Sequence, residues 1–85
     1  MNYRVEILPA ALKELEILPD PIYKKVVDTI ENFKHDPRPA NVLKLKGHQY
    51  RWRARIGMYR ILFEIDDSLH RVIIFRIRHR KDVYR

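Results

Sequence analysis

Residues 50–56 read Tyr-Arg-Trp-Arg-Ala-Arg-Ile, an unbroken alternation of apolar and cationic side chains. A β-strand sends successive side chains to opposite faces. The segment therefore predicts a strand with Tyr50, Trp52, Ala54 and Ile56 on one face and Arg51, Arg53 and Arg55 on the other. Such a strand fits a sheet whose one face is buried and whose other face is strongly basic. Aligned guanidiniums repel one another unless an anion lies across them, and a phosphate backbone is such an anion.

The flanking patterns supply the rest of that sheet and its cover. Tyr3, Val5 and Ile7 alternate with Arg4 and Glu6, which predicts a first strand over residues 2–8. Pro9 suits a helix start, and Leu8, Leu12, Leu15 and Leu18 form a stripe with Lys13, Glu14 and Glu16 outside. Pro19 ends that helix. Asp20 is the expected N-cap and Pro21 the first residue of a second helix, carrying Ile22, Val26, Ile30 and Phe33 at helical spacing. It stops near His35–Asp36, because Pro37 disfavours helical geometry in the residue before it.

Leu43–Lys46 reads as a short strand and Gly47–Gln49 as a turn. Gly57 breaks the arginine strand. Met58–Ile65 and Arg71–Arg78 form a hairpin around Asp66–His70. Both parities of these last strands hold large apolar residues, which predicts central strands covered on both faces. Asp66-Asp67 reads as turn chemistry. The expected fold is α+β, in the order β-α-α-β-β-β, with an antiparallel-rich twisted sheet and a helical hairpin packed on one face. Its 85 residues suffice for one small domain, residues 1–85.

Charge is distributed unevenly. Residues 1–42 carry six Lys/Arg and seven Asp/Glu, whereas residues 43–85 carry twelve Lys/Arg, nine of them Arg, and four Asp/Glu. A basic half rich in arginine points to nucleic acid or an acidic partner. The chain has no cysteine, which excludes disulfides and Cys-based zinc sites and fits a reducing cytoplasm. The N-terminus lacks a signal-peptide layout, and no apolar run reaches membrane-spanning length. The four histidines show no metal-ligand spacing, so neither a metal nor another cofactor is expected.

Lys44 and Lys46 are expected to extend the basic face, and Arg76, Arg78 and Arg80 share a parity near the end of the last strand. Arg60 opens the strand after Gly57. Arginine is a poor base and a good fixed charge. A site built from it would act by stabilising a developing phosphorane, with the RNA 2′-hydroxyl as nucleophile. Histidine is the side chain whose unperturbed pKa best suits proton transfer, which makes His79 the candidate; its alternative reading is a solvated tail residue. Tyr84 could stack on a base or donate a proton, or anchor the C-terminal segment. Glu64 is a weak alternative base, more simply a cross-strand partner of Arg71.

Leu45-Lys46-Gly47, Tyr50–Arg60 and Ile77–Arg85 together resemble the RelE toxins of the RelE/ParE superfamily, over essentially the whole chain. The resemblance implies the toxin of a type II toxin–antitoxin pair that enters the ribosome and cuts mRNA by 2′-hydroxyl attack without a metal. It implies basic active-site roles for Arg51 and Arg53, often lysines in the family; Lys44, Lys46 and Arg55, read from the basic face itself, are the further expected RNA contacts. It also implies a phosphate-binding role for Arg60, a charge-stabilising or acid role for Arg80 with Arg78 as its substitute, and an RNA-holding role for Tyr84. A cognate RelB-like antitoxin, contributing an acidic or amphipathic segment, is the implied partner beside the ribosome and mRNA. Two other readings share the fold: a ParE-like toxin that binds DNA gyrase and cuts nothing, and an inactive RNA- or DNA-binding relative.

Overall fold

The computed structural model describes residues 2–47 and 50–83. Strand β1 (Arg4–Ile7) is followed by helices α1 (Pro9–Glu16) and α2 (Ile22–Phe33). Strands β2 (Val42–Lys44), β3 (Arg51–Ile56), β4 (Tyr59–Asp66) and β5 (Arg71–His79) complete the sheet, and a short helix α3 (Arg80–Val83) follows. The sheet order is β1-β5-β4-β3-β2, with β1 parallel to β5 and the other pairs antiparallel. The expected α+β sheet and helical hairpin are thus present, with β2 as a full sheet member and α3 added. Among the described residues no helix is long and apolar enough to cross a membrane.

Both helices pack on one face of the sheet. Val26, Ile30 and Phe33 of α2 are buried, as their helical spacing predicts. They meet Ala54 and Ile56 of β3, Ile61, Phe63 and Ile65 of β4, and Val72, Ile74 and Ile77 of β5. Phe33 stacks on Phe63 with ring centroids 4.6 Å apart, at the middle of this layer. Helix α2 starts one residue later than expected and Asp20 does not cap it. The carbonyls of Pro19 and Pro21 instead accept the first-turn N–H groups of Tyr23 and Lys25.

The stripe of α1 differs from the expected one. Ala11 and Leu15 are its buried residues, while Leu8 and Leu12 stay about two-fifths exposed. The helix lies along β5, and the methyl side chain of Ala11 permits the close approach. This places Glu14 inward, not outside. Strand β1 pairs with β5 only as far as Ile74, which leaves the rest of that edge open. The Glu14 carboxylate closes it by accepting the Ile77 N–H at 2.8 Å and two N–H bonds from the Arg76 guanidinium at 3.1 and 2.9 Å. A charged acceptor thus satisfies an otherwise open strand edge.

The far end of the sheet is held by another carboxylate. Asp66 does serve the β4–β5 turn, accepting from the Ser68 hydroxyl and the Leu69 N–H. Asp67 does something else: it accepts the Tyr3 hydroxyl at 2.6 Å and the Arg38 guanidinium. Arg38 also lies over the Trp52 ring, 5.1 Å from its centroid. The N-terminal segment, the proline-rich connector and the turn are tied at one point. Of the turn expected at Gly47–Gln49, Gly47 is described, at φ +81°; the other two positions lie outside the described residues.

Two outcomes follow from these carboxylates. Glu14→Ala should lower stability by about 1–2 kcal/mol in urea unfolding at neutral pH, the worth of charged hydrogen bonds discounted for the half-exposed Arg76. Glu14→Gln, which keeps an acceptor for Ile77, should lose less. The Tyr3 hydroxyl and then the Arg38 guanidinium hold Asp67 below its ordinary pKa. Its stabilising contribution is therefore complete above the unfolded value of about 3.9 and lost as pH falls through the lower folded value. Melting temperatures recorded from pH 6 down to pH 2 should show a shallower acid decline in Asp67→Asn than in the parent.

Candidate nucleic-acid interface

The face away from the helices is built by parity. In β3, Ala54 and Ile56 point to the core, so Arg51, Arg53 and Arg55 point away from it. In β4, Ile61, Phe63 and Ile65 are buried against the helices, which leaves Arg60, Leu62 and Glu64 on the open face. The two strands are joined at Gly57-Met58, with Gly57 at φ +58°, a left-handed value that glycine adopts without strain.

Strand β5 would fail to match this face without an irregularity. Phe63 pairs with Ile74 but Leu62 pairs with Arg76, so Phe75 is an extra residue on β5. This β-bulge shifts the parity of everything after it. Before it, Val72 and Ile74 face the core; after it, Ile77 does. The change of face brings Val72, Ile74 and Ile77 together in the core despite their mixed parity, while Ile73 and Phe75 place apolar side chains on the open face. Helices α1 and α2 cover only the core side, so β5 is not covered on both faces as expected from the sequence. Phe75 itself lies beneath the Arg51 guanidinium, 4.8 Å from ring centroid to Cζ.

The bulge brings Arg76 and Arg78 onto the open face. Two cross-strand rows result: Arg53–Leu62–Arg76, and beyond it Arg55–Arg60–Arg78. Like charges directly opposite one another on paired strands destabilise a sheet. Carboxylates offset part of this. Glu64 lies 3.4 Å from Arg51, its cross-strand neighbour, so Arg51 and not Arg71 is its partner; Arg71 is paired with Glu6 at 3.8 Å. Glu14 binds Arg76 and lies 3.8 Å from Arg78.

The outer row has the least compensation. Among the described residues, Arg55 and Arg60 have no carboxylate partner. Arg60 is only 4% exposed. Its Nη1 donates to the carbonyls of Gly57 and Tyr59 at 3.2 and 2.9 Å, while its buried Nε has no acceptor among the described residues. A buried cation pinned by two backbone carbonyls is pre-oriented and short of an anion. Arg80, exposed at the start of α3, is brought to the same end of the sheet by its N–H bond to the Met58 carbonyl.

Other expected contributors sit elsewhere. Lys44 pairs with Trp52 in register and so falls on the face opposite to the arginines; Leu43, paired with Arg53, occupies the open face instead. The short strand starts at Val42, whose burial fixes that parity. Lys46 lies beyond the strand and is exposed. His79 pairs with Tyr59, on the helix-bearing face, and its ring packs edge-on against that of Tyr59 with centroids 5.3 Å apart. The bulge that turns Arg78 outward turns His79 away from the arginines. Tyr84 lies outside the described residues. Arg76, expected from the sequence to line up with Arg78, does so on the open face. Phe75 has no site role in the sequence reading, and the mixed parity of β5 is the signal for it.

A family described as the ParE toxin of type II toxin–antitoxin system, parDE, matches residues 5–84. RelE1 of Methanocaldococcus jannaschii is 34% identical, with 100% of this chain and 98% of that one covered. Toxin RelG of Mycobacterium tuberculosis is 33% identical, over 100% of this chain and 99% of its own. The archaeal RelE–RelB complex of Pyrococcus horikoshii superposes with a TM-score of 0.84 at 28% identity, covering 94% of this chain and 97% of its counterpart. With the sheet order, the helical hairpin and the sequence match in agreement along nearly its whole length, the chain belongs to the ParE-toxin family of type II toxin–antitoxin systems and is a toxin of the RelE type.

Proposed function

We propose that this toxin is a ribosome-dependent mRNA endoribonuclease whose open sheet face holds the RNA backbone. The observation that carries the reading is the Arg55–Arg60–Arg78 row, with Arg60 buried, pinned and lacking a carboxylate among the described residues. Arg51 and Arg53 continue the basic face along β3, and Arg80 approaches the row from α3.

Fixed positive charge is what such a face supplies. The RNA 2′-hydroxyl attacks the adjacent phosphorus, the bond to the next nucleotide's 5′-oxygen breaks, and a 2′,3′-cyclic phosphate remains. Guanidiniums placed before the reaction stabilise the negative charge that grows on the phosphorane oxygens, with little reorganisation. Proton transfer from the 2′-oxygen and to the 5′-oxygen is assigned to the ribosome or solvent, since His79 belongs to the other face. Tyr84 retains its proposed part in holding the RNA.

The partner proposed for the resting state is a RelB-like antitoxin, the arrangement seen in the Pyrococcus horikoshii complex. An acidic or amphipathic segment that folds on binding would neutralise the arginine rows and stabilise the toxin by mass action.

Arg55→Ala, Arg78→Ala and Arg80→Ala should each reduce cleavage by about a hundredfold, comparable to losing one transition-state donor, and relieve growth arrest. Arg60→Lys should also fail, because a lysine keeps the charge but loses the planar fork. Mapping mRNA 5′ ends after induction at matched protein levels reads this directly. Undiminished cleavage in all four variants would remove the assigned face. Intact mRNA together with broken DNA in the parent would instead favour gyrase binding.

A further inference from the structure

The arginine rows end at a pocket of a different character. At the β4–β5 turn end of the open face, a cleft of about 310 Å³ is lined by Tyr50, Glu64, Asp66, Ser68, Arg71 and Ile73, among others. This lies at the lower end of the range for small-molecule sites. Its lining combines an aromatic residue, aliphatic Ile65 and Ile73, two carboxylates and one guanidinium. Tyr50 is more than half exposed and so free to stack.

The polar groups have unused capacity. Asp66 Oδ1 accepts from Ser68 and Leu69. Glu64 is engaged through Oε1, at 3.4 Å from Arg51. No hydrogen bond or ion pair within the described residues engages the second oxygen of either carboxylate. Arg71 reaches Glu6 only at 3.8 Å, beyond hydrogen-bond distance, and its Nε is buried with no acceptor among the described residues. Acceptors and a donor with unused capacity therefore line the same cleft as apolar and aromatic residues.

We propose that this cleft is a base-recognition pocket and that its preferred occupant is a guanine of single-stranded RNA. Guanine presents adjacent N1–H and N2–H donors, which a carboxylate accepts in pairs, and O6 and N7 acceptors, which suit an arginine. The other bases lack that combination of edges. Tyr50 stacks on the ring, as aromatic side chains do in single-strand binders. Arg51 joins the pocket to the rows, being the cross-strand partner of Glu64 and the first cation of β3. Along β4, Glu64 stands four residues from Arg60, about 13 Å at strand rise, so the pocket reads a nucleotide other than the one whose phosphate lies on the outer row. The proposal rests on the RNA-binding reading of this face and adds sequence selectivity to it.

The test is binding of purified toxin to short single-stranded RNAs that differ at one base, guanine, inosine or adenine, measured by fluorescence anisotropy at low salt. Inosine lacks only the N2 amine. The parent should bind the guanine oligomer about tenfold more tightly than the inosine one, and Glu64→Gln should bind the two alike. Tyr50→Ala should weaken the guanine oligomer by about tenfold. Equal affinity of the parent for all three oligomers overturns the pocket. Binding with guanine preference but no mRNA cleavage in cells keeps the pocket and sinks the nuclease reading; cleavage without base preference does the reverse.

Discussion

Cross-strand repulsion among arginines is the constraint to which the rest of this small protein answers. Arg55, Arg60 and Arg78 occupy neighbouring positions on three paired strands, an arrangement that costs stability. An 85-residue chain has little apolar burial to offset that cost. It does so with one compact layer, α2 and α1 against the opposite face, centred on Phe33 and Phe63. It also places carboxylates at the margins of the charge. Glu14 moderates Arg76 and Arg78, Glu64 moderates Arg51, and Asp67 fixes the far end through Tyr3 and Arg38. The outer row is left with the least neutralisation, which suits the proposed binding of an RNA backbone there.

Much of this was legible in the chain because local periodicity and tertiary burial agree. The alternation of residues 50–56 gave the arginine face, and Ile22, Val26, Ile30 and Phe33 gave the helix that covers the other side. The route to the family lay in the segments around Tyr50–Arg60 and Ile77–Arg85, which carry few features beyond charge, glycine and aromatic spacing.

The misreadings share a cause: they depend on partners distant in sequence. A strand reads by parity only while its ladder is regular, and the bulge at Phe75 exchanges the faces of Arg78 and His79. Lys44 is on the wrong side because β2 takes its register from Val42 against Ala54, a pairing that three residues cannot announce. Glu14 reads as a solvated helix residue because nothing local announces that β1 stops short of the end of β5. Asp67 looked like a turn residue because its partners lie 64 and 29 positions away.

The basic face itself is most directly tested by the salt dependence of RNA binding. For single strands, log affinity falls with log salt by about 0.7 for each phosphate neutralised. If Arg55 and Arg78 each hold a phosphate, the Arg55→Gln/Arg78→Gln variant should have a slope shallower than the parent by about 1.4. A slope unchanged by the double substitution would contradict the account, since the outer row would then not be where the backbone lies.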